Sequence, residues 1–460
     1  MNICTLTDSY KLGHWQQYPK GTTKVYSYLE ARNGARYDET VFFGLQPLLR
    51  QLAGSVVNSM DVRKAQVLAD AHFGNANIFG QERWWHILHE HSGVLPLEIK
   101  AVPEGTPVSN GNVLMTVENT DPKCYWLTNH IESFLTHVWY PSTVASLSRQ
   151  VKKICEGYLD TTSVRDGRTK RHLGLDFMLH DFGFRGVSST ESGRIGGAAH
   201  LVNFLGTDTV PAIEFIQDEY GCGSMPAFSV PATEHSVMTA KGEEGEMDVV
   251  GQVLDAYPTG IVSIVIDSYN YQNFIHKVWQ RFHQKILARE GKVVFRPDSG
   301  NPVDVTLDVL SRLQTCFGNS INTKGYKVLN PKVGCIWGDG IDLNGIAEIL
   351  DAITRAGWSA ENMVFGMGGG LLQKVNRDTQ RFAFKSSYQE VHGVGRDIFK
   401  EPLDKSKTSK RGRLKLCKDG LGFITTQEGE NNHPDNLQTV FKNGKIIKHY
   451  SWEEVRANAV

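Results

Sequence analysis

Residues 293–302 read VVFRPDSGNP: a β-branched and aromatic run ends abruptly at Arg296, and Pro297, Asp298, Ser299 and Gly300 follow at once. Three further segments repeat the arrangement. GIVSIVI (260–266) runs into Asp267, VGCIW (333–337) into GDGID (338–342), and MVF (363–365) into GMGGG (366–370). Helical spacing fills the gaps between them. Ile346, Ile349, Leu350 and Ile353 stand at i, i+3, i+4 and i+7, and Leu310, Leu313 and Phe317 share a face in much the same way. Continuous apolar strands alternating with helices predict an α/β fold in which helices cover a parallel sheet, either a β/α barrel or a doubly wound sheet. In a barrel of this kind the chemistry collects at the carboxyl ends of the strands, where the Asp, Arg and Gly residues stand here. Turn formation alone also accounts for Asp and Gly after any one strand.

The first 150 or so residues differ. Strand-like runs at 23–29 and 113–117 mix with helical patterns at 61–71 and 126–139, an α+β reading. The chain has 460 residues, 40% of them hydrophobic and 22% charged, which excludes a disordered or fibrous protein. A formal net charge of −1 gives no basic excess to attract nucleic acid or an anionic membrane, so neither is expected as a partner. The longest apolar run is far shorter than the ~20 residues of a membrane span, and the first residues do not read as a signal peptide. The seven cysteines are scattered, odd in number and without C-x-x-C. Their pattern argues against a disulfide framework and against a zinc site, and for a reducing, cytoplasmic setting.

Several segments carry chemistry. In HDFGFRGVSS (180–189), Phe182 offers a ring face and Arg185 a fork suited to phosphate, although an ordinary loop explains the segment alone. In NFLGTDTV (203–210), Asp208 is either an acceptor for a ligand amide or part of a helix cap. SVPATEHS (229–236) sets His235 between Glu234 and Ser236; a histidine can act as base, ligand or phosphoryl acceptor, but a lone one is weak evidence. In RPDSGNP, Arg296 suits phosphate, and Asp298 suits ribose hydroxyls or Mg²⁺. GDGID brackets Asp339 with Gly338 and Gly340, and the amides of GMGGG can form an anion nest. A Walker A motif is absent. Lys385, Lys400, Lys405, Lys407, Lys410, Arg411 and Arg413 form a basic stretch, either a solvated loop or a clamp for a multiply phosphorylated ligand. Together these describe a site for phosphates, ribose, Mg²⁺ and a flat ring.

These segments, with TDSYK (7–11), KVYSY (24–28), EIKAVPEG (98–105), NTDPKCYWLTN (119–129), GGGLLQK (368–374) and VFKNGK (440–445), closely resemble the nicotinamide phosphoribosyltransferase family, in order and over nearly the whole chain. The resemblance implies a type II phosphoribosyltransferase. Its core would be an irregular β/α barrel over 151–384, with an additional α+β domain built from 1–150 and part of 385–460. It implies transfer of the phosphoribosyl group of phosphoribosyl pyrophosphate to nicotinamide, Mg²⁺, ATP as a co-substrate that drives the reaction, and a homodimer with shared active sites. By the same resemblance Phe182 and the partner subunit's Tyr10 stack on the pyridine, and Ser229 lies near the amide of the base. Arg185, Arg296, Arg377, Lys385, Lys400 and Lys407 contact phosphates, the last four from the partner. Asp298, Gly338 and Asp339 meet the ribose, and Gly369 and Gly370 the 5′-phosphate. Asp267 and Asp298 face Mg-pyrophosphate. His235 is the residue that becomes phosphorylated, with Glu234 and Asp267 as candidates to orient its ring. Ala383 departs from the serine of the animal enzymes, and the loops at 33–36 and 159–175 differ in length. The competing readings are a nicotinate phosphoribosyltransferase and a non-catalytic metabolite-binding protein. Asp208 speaks against the first, because a carboxylate repels nicotinate and accepts from nicotinamide.

Overall fold

A computed structural model describes the chain except for residues 76, 404–407 and 421, so Lys405 and Lys407 lie outside the described residues. The chain divides into two compact units. One comprises Leu147–Phe215 and Gly223–Val375, and the other Met1–Ser146, Ile216–Cys222 and Asn376–Val460.

The first unit is built on six strands: β1 (Leu179–Asp181), β2 (Gly206–Thr207), β3 (Thr259–Val265), β4 (Glu290–Arg296), β5 (Val333–Trp337) and β6 (Met363–Met367). They run in the order β2-β1-β6-β5-β4-β3, and every pairing is parallel. The two edges do not stay open. Phe228 bridges Gly206 of β2, and four residues on Ala232 bridges Ser263 of β3. The Thr207 amide donates to the Phe228 carbonyl at 3.1 Å, and the Ser263 amide to the Pro231 carbonyl at 2.9 Å. An extended segment thus acts as a seventh, irregular stave and closes the sheet into an irregular β/α barrel. Every residue of β5 is buried, as a strand covered on both faces must be.

The helices of this unit start where local chemistry tells them to. In α1 (Pro302–Phe317), Asn301 accepts from the amides of Val303 and Asp304, Pro302 occupies the first turn, and Val305, Val309, Leu310, Leu313 and Phe317 form the buried stripe. In α2 (Leu343–Arg355), Asp342 accepts from the amides of Asn344 and Gly345, and Ile346, Ile349, Leu350 and Ile353 are buried. The second aspartate of GDGID is therefore a helix cap, and the first, Asp339, is left exposed at the strand end.

The other unit carries a seven-stranded antiparallel sheet, in the order Val394–Asp397, Phe382–Val391, Thr22–Ala31, Val113–Asn119, Leu97–Ala101, Gln438–Lys442, Lys445–Ile446. Its longest pairing joins Thr22–Ala31 to Phe382–Val391, across most of the chain. The helical pattern at 126–139 is not one helix. It breaks into Leu127–His130, Glu132–Leu135 and a 3₁₀ turn at Thr136–Val138 before the long helix Trp139–Thr162 begins. The Thr136 hydroxyl donates to the Glu132 carbonyl at 2.6 Å, a side-chain bond that competes with the backbone ladder at that break.

Candidate active site

The ends of β1, β2, β4, β5 and β6 gather one group of side chains around Phe182, the first residue after β1. Its amide donates to the Met367 carbonyl at 3.0 Å. Its ring lies against two glycine α-carbons. A methyl group on Gly366 would fall 2.0 Å from a ring carbon, and one on Gly338 would fall 3.1 Å from the ring and 3.8 Å from an Asp298 carboxylate oxygen. The two glycines are thus the floor on which the ring rests, and Gly338 sits between ring and carboxylate. The ring also lines a cavity of about 810 Å³, with His180, Asp208, Ser229 and Arg296 from the strand ends and Val333, Asn362 and Met363 from the strand starts. Small barrels are normally packed solid, so a hollow lined from both ends of the strands has room for a ligand.

At the mouth of this cavity Ser229 donates its hydroxyl proton to the Asp208 carboxylate at 2.5 Å. Asp208 is not a helix cap: its amide donates to the Asp181 carbonyl at 2.9 Å, and the helix begins at Val210. Asp181 is fully buried, and its carboxylate accepts from the Gly183 amide at 2.7 Å and the Thr207 hydroxyl at 3.4 Å. Burial pushes its carboxyl up to about 6 against those bonds. Asp181 ties the turns after β1 and β2 together, and so holds Phe182 and Asp208 in mutual register. Burial likewise lowers the imidazole of His180, with the nearby Asp208 charge acting the other way. Reading the sequence singles out neither residue; both stand beside Phe182 in the motif, but nothing in the local pattern separates them from ordinary strand residues.

A second group surrounds Asp267, the residue that follows Ile266 past the end of β3. Its Oδ1 lies 3.3 Å from Nε2 of His235. Its Oδ2 accepts from the Asp298 amide at 3.1 Å and from the Ser299 hydroxyl. The Asp267 side chain is only 6% exposed, whereas the His235 ring is 47% exposed. A buried, fully engaged carboxylate therefore holds a ring that solvent can reach. Glu234 does not help to orient that ring, because its carboxylate accepts from the Ser236 hydroxyl instead. Arg296 donates through Nη2 to the Thr233 carbonyl at 3.2 Å, and its buried Nε has no hydrogen-bond partner among the described residues.

The turn Phe184–Gly186 packs against the glycine run after β6: a methyl group on Gly186 would lie 3.4 Å from Gly369. Arg185, at the middle of that turn, is exposed. A helical turn starts at Gly369, and its first amides have no carbonyl a turn back to bind. A side chain at Gly370 would collide with the Ile341 carbonyl, whereas Gly369 faces open space.

The remaining candidates belong to the other unit. Tyr10 is 60% exposed. Arg377 and Lys385 line a cavity of about 380 Å³ with Arg32, Arg381, Glu132 and Ala383. Burial lowers the Lys385 ammonium, and Arg32, Lys400 and Arg377 lower it further while Glu132 opposes them, the signature of a cationic basin. Part of the basic stretch is spent inside the fold. Arg413 pairs with both oxygens of Glu118 at 2.8 and 2.9 Å, and Lys410 pairs with Glu30. Those two cations hold the sheet together and are not free for a phosphate clamp.

Residues 177–445 match the model of the nicotinate phosphoribosyltransferase (NAPRTase) family, and residues 2–99 match that of the nicotinamide phosphoribosyltransferase N-terminal domain. A nicotinamide phosphoribosyltransferase of Xanthomonas campestris is 44% identical over 472 residues, covering 100% of this chain and 98% of its own. The chain belongs to the nicotinamide phosphoribosyltransferase family. A second member of that family, from Acinetobacter baylyi, is 33% identical and covers 99% of this chain and 96% of its own. The same fold occurs in human nicotinic acid phosphoribosyltransferase (TM-score 0.59, 16% identity, 98% of this chain and 92% of that one). It also occurs in nicotinate-nucleotide pyrophosphorylase of Pyrococcus furiosus (TM-score 0.61, 15% identity, 100% and 95%). For a nicotinamide phosphoribosyltransferase the glycine floor under Phe182 and the Ser229–Asp208 pair make chemical sense together, since the substrate is a flat ring bearing an amide.

Proposed function

We propose that this enzyme transfers the phosphoribosyl group of phosphoribosyl pyrophosphate to nicotinamide, giving nicotinamide mononucleotide and pyrophosphate for NAD salvage. The observation that carries the choice of base is the Asp208 carboxylate, oriented by Ser229 at 2.5 Å in the cavity that Phe182 lines. The amide –NH₂ of nicotinamide donates to that carboxylate, whereas the –COO⁻ of nicotinate meets like charge. Phe182 covers one face of the pyridine, and Tyr10 of the partner subunit covers the other in a homodimer with shared sites. Stacked rings also favour the cationic pyridinium product.

The phosphoribosyl end is held by charge and by backbone. Arg185 and Arg296 bind phosphate, and a phosphate oxygen would satisfy the buried Nε of Arg296. Gly369 and Gly370 receive the 5′-phosphate; Asp298, Gly338 and Asp339 receive the ribose. Arg377, Lys385 and Lys400 contribute the partner subunit's cationic basin, and Lys407 completes the set. Mg²⁺, when bound, neutralises the departing pyrophosphate. Of the two candidate carboxylates, both oxygens of Asp267 are already engaged, so Asp298 is the one left to face the ion. ATP acts as co-substrate by phosphorylating His235, whose ring Asp267 orients. The scattered cysteines, without C-x-x-C, suit work in the cytoplasm.

Asp208→Asn tests the base assignment, because it keeps the shape of the side chain and removes its charge. The ratio of kcat/KM for nicotinamide to that for nicotinate should fall by about tenfold or more. A ratio equal to that of the wild type would remove Asp208 from recognition.

A further inference from the structure

The antiparallel unit contains a cluster that none of the foregoing chemistry uses. His86 lies on the helix Gln81–Glu90, and His91 is the residue that ends it. Asp121 caps the 3₁₀ turn Pro122–Cys124, and Cys124 is the last residue of that turn. The Nε2 atoms of His86 and His91 lie 2.7 and 2.6 Å from the same carboxylate oxygen, Oδ2 of Asp121. The Cys124 sulfur joins them: one donor atom from each of the four residues lies within 4.8 Å of every other. Among the described residues no other group of three or more His, Cys, Asp or Glu side chains converges in this way.

Hydrogen bonding alone accounts for part of this arrangement. It explains why a carboxylate meets an imidazole, but not why two imidazoles share one oxygen with a buried thiol within 4.8 Å of the group. Cys124 is fully buried and unpaired, and the two rings are largely covered, with 18% and 30% of their side-chain surface exposed. Asp121 is itself held in place: its Oδ1 accepts from the Lys123 amide at 2.7 Å, which leaves Oδ2 aimed at the rings. Metal-ligating carboxylates are commonly oriented by such an outer hydrogen bond. With metal–ligand bonds of about 2.0–2.3 Å, the donors of a tetrahedral site stand roughly 3.3–3.8 Å apart, so small side-chain shifts would convert the cluster into one. Two imidazoles, a thiolate and a carboxylate suit zinc; the sulfur excludes Mg²⁺ or Ca²⁺ as the preferred ion.

We propose that His86, His91, Asp121 and Cys124 form a structural zinc site that takes one ion per chain and ties the end of the helix to the following turn. Four protein ligands leave no open position, as in structural rather than catalytic zinc sites. The spacing of the cysteines alone argues against zinc because just one of the four ligands is a cysteine and the two ligand pairs lie some 30 residues apart.

The test uses the full-length protein, freed of any affinity tag, kept reduced, stripped with a chelator and reloaded with Zn²⁺ or Co²⁺. Wild type should retain one zinc per chain through gel filtration, and its melting temperature should rise on reloading. The cobalt form should show a thiolate-to-metal charge-transfer band, which Cys124→Ser removes. His91→Gln, a change at a partly exposed position, should lower retained zinc to less than half and abolish the thermal shift, with synthesis of the mononucleotide unchanged. The proposal is overturned if wild type retains no zinc, if the cobalt form lacks the thiolate band, or if His91→Gln and Cys124→Ser hold as much metal as wild type. The thiolate band separates this site from any cation held by Asp298, which has no cysteine beside it.

Discussion

His235 is the residue on which the energetic part of the account rests. A structural histidine is ordinarily buried and bonded on both nitrogens. This ring is nearly half exposed, and one nitrogen faces a buried carboxylate that is itself anchored twice. That pairing suits a phosphoryl acceptor, because the carboxylate fixes the ring through one nitrogen and leaves the other to attack. His235→Ala should therefore abolish ATP hydrolysis and ATP stimulation, while slow ATP-independent synthesis survives on the untouched stacking and phosphate contacts. The measurement is acid-labile, base-stable labelling from γ-labelled ATP. Equal labelling in wild type and variant, or none in either while ATP still stimulates, would exclude this residue. The family resemblance offers Asp267 as a partner for the His235 ring, and the structure sets the two 3.3 Å apart. The sequence misleads where neighbours compete, since Glu234 beside the ring turns to Ser236 instead. It is silent on Asp181, whose role depends on a contact with Thr207, 26 residues away.

Among the elements, the strands that can be read are those with continuous β-branched runs: β3, β4, β5 and β6 all appear where the pattern expects them. The two-residue strand β2, which pairs with β1 over just two residues, and the stave around Phe228–Ala232, held by isolated bridges, carry no such run. The closure of the barrel is hidden with them. The glycine run GMGGG (366–370) reads as an anion nest, yet its first residue lies inside β6 and has a different duty. Gly366 is needed because the Phe182 ring occupies the volume of any side chain there. Gly366→Ala should push the ring off its floor, an overpacking cost of about 1–3 kcal/mol. Its expected mark is a KM for nicotinamide raised by about tenfold or more, with the KM for phosphoribosyl pyrophosphate much less affected. If both KM values move together, or neither does, the ring is not held by that contact.

For the molecule as a whole, local patterns cannot foresee the seven-stranded sheet, whose longest pairing joins residues 22–31 to 382–391. Chain-distant antiparallel pairing leaves no short-range signature, so the borders between the units, after Ser146, Phe215, Cys222 and Val375, can only be approximated from composition. Subunit exchange tests whether two chains share each site. Tyr10→Ala and Arg296→Ala should each be inactive alone, and a mixture allowed to exchange subunits should recover roughly a quarter of the full activity, one intact site in each mixed dimer. No recovery after proven exchange would show that each subunit completes its own site. Whether this chain makes nicotinamide mononucleotide is decided by one competition assay. The purified protein is given phosphoribosyl pyrophosphate and Mg²⁺ with nicotinamide and nicotinate side by side, and kcat/KM is measured for each. Transfer to nicotinamide should be preferred by at least about a hundredfold; equal or better use of nicotinate, or no transfer to either base, would overturn the assignment.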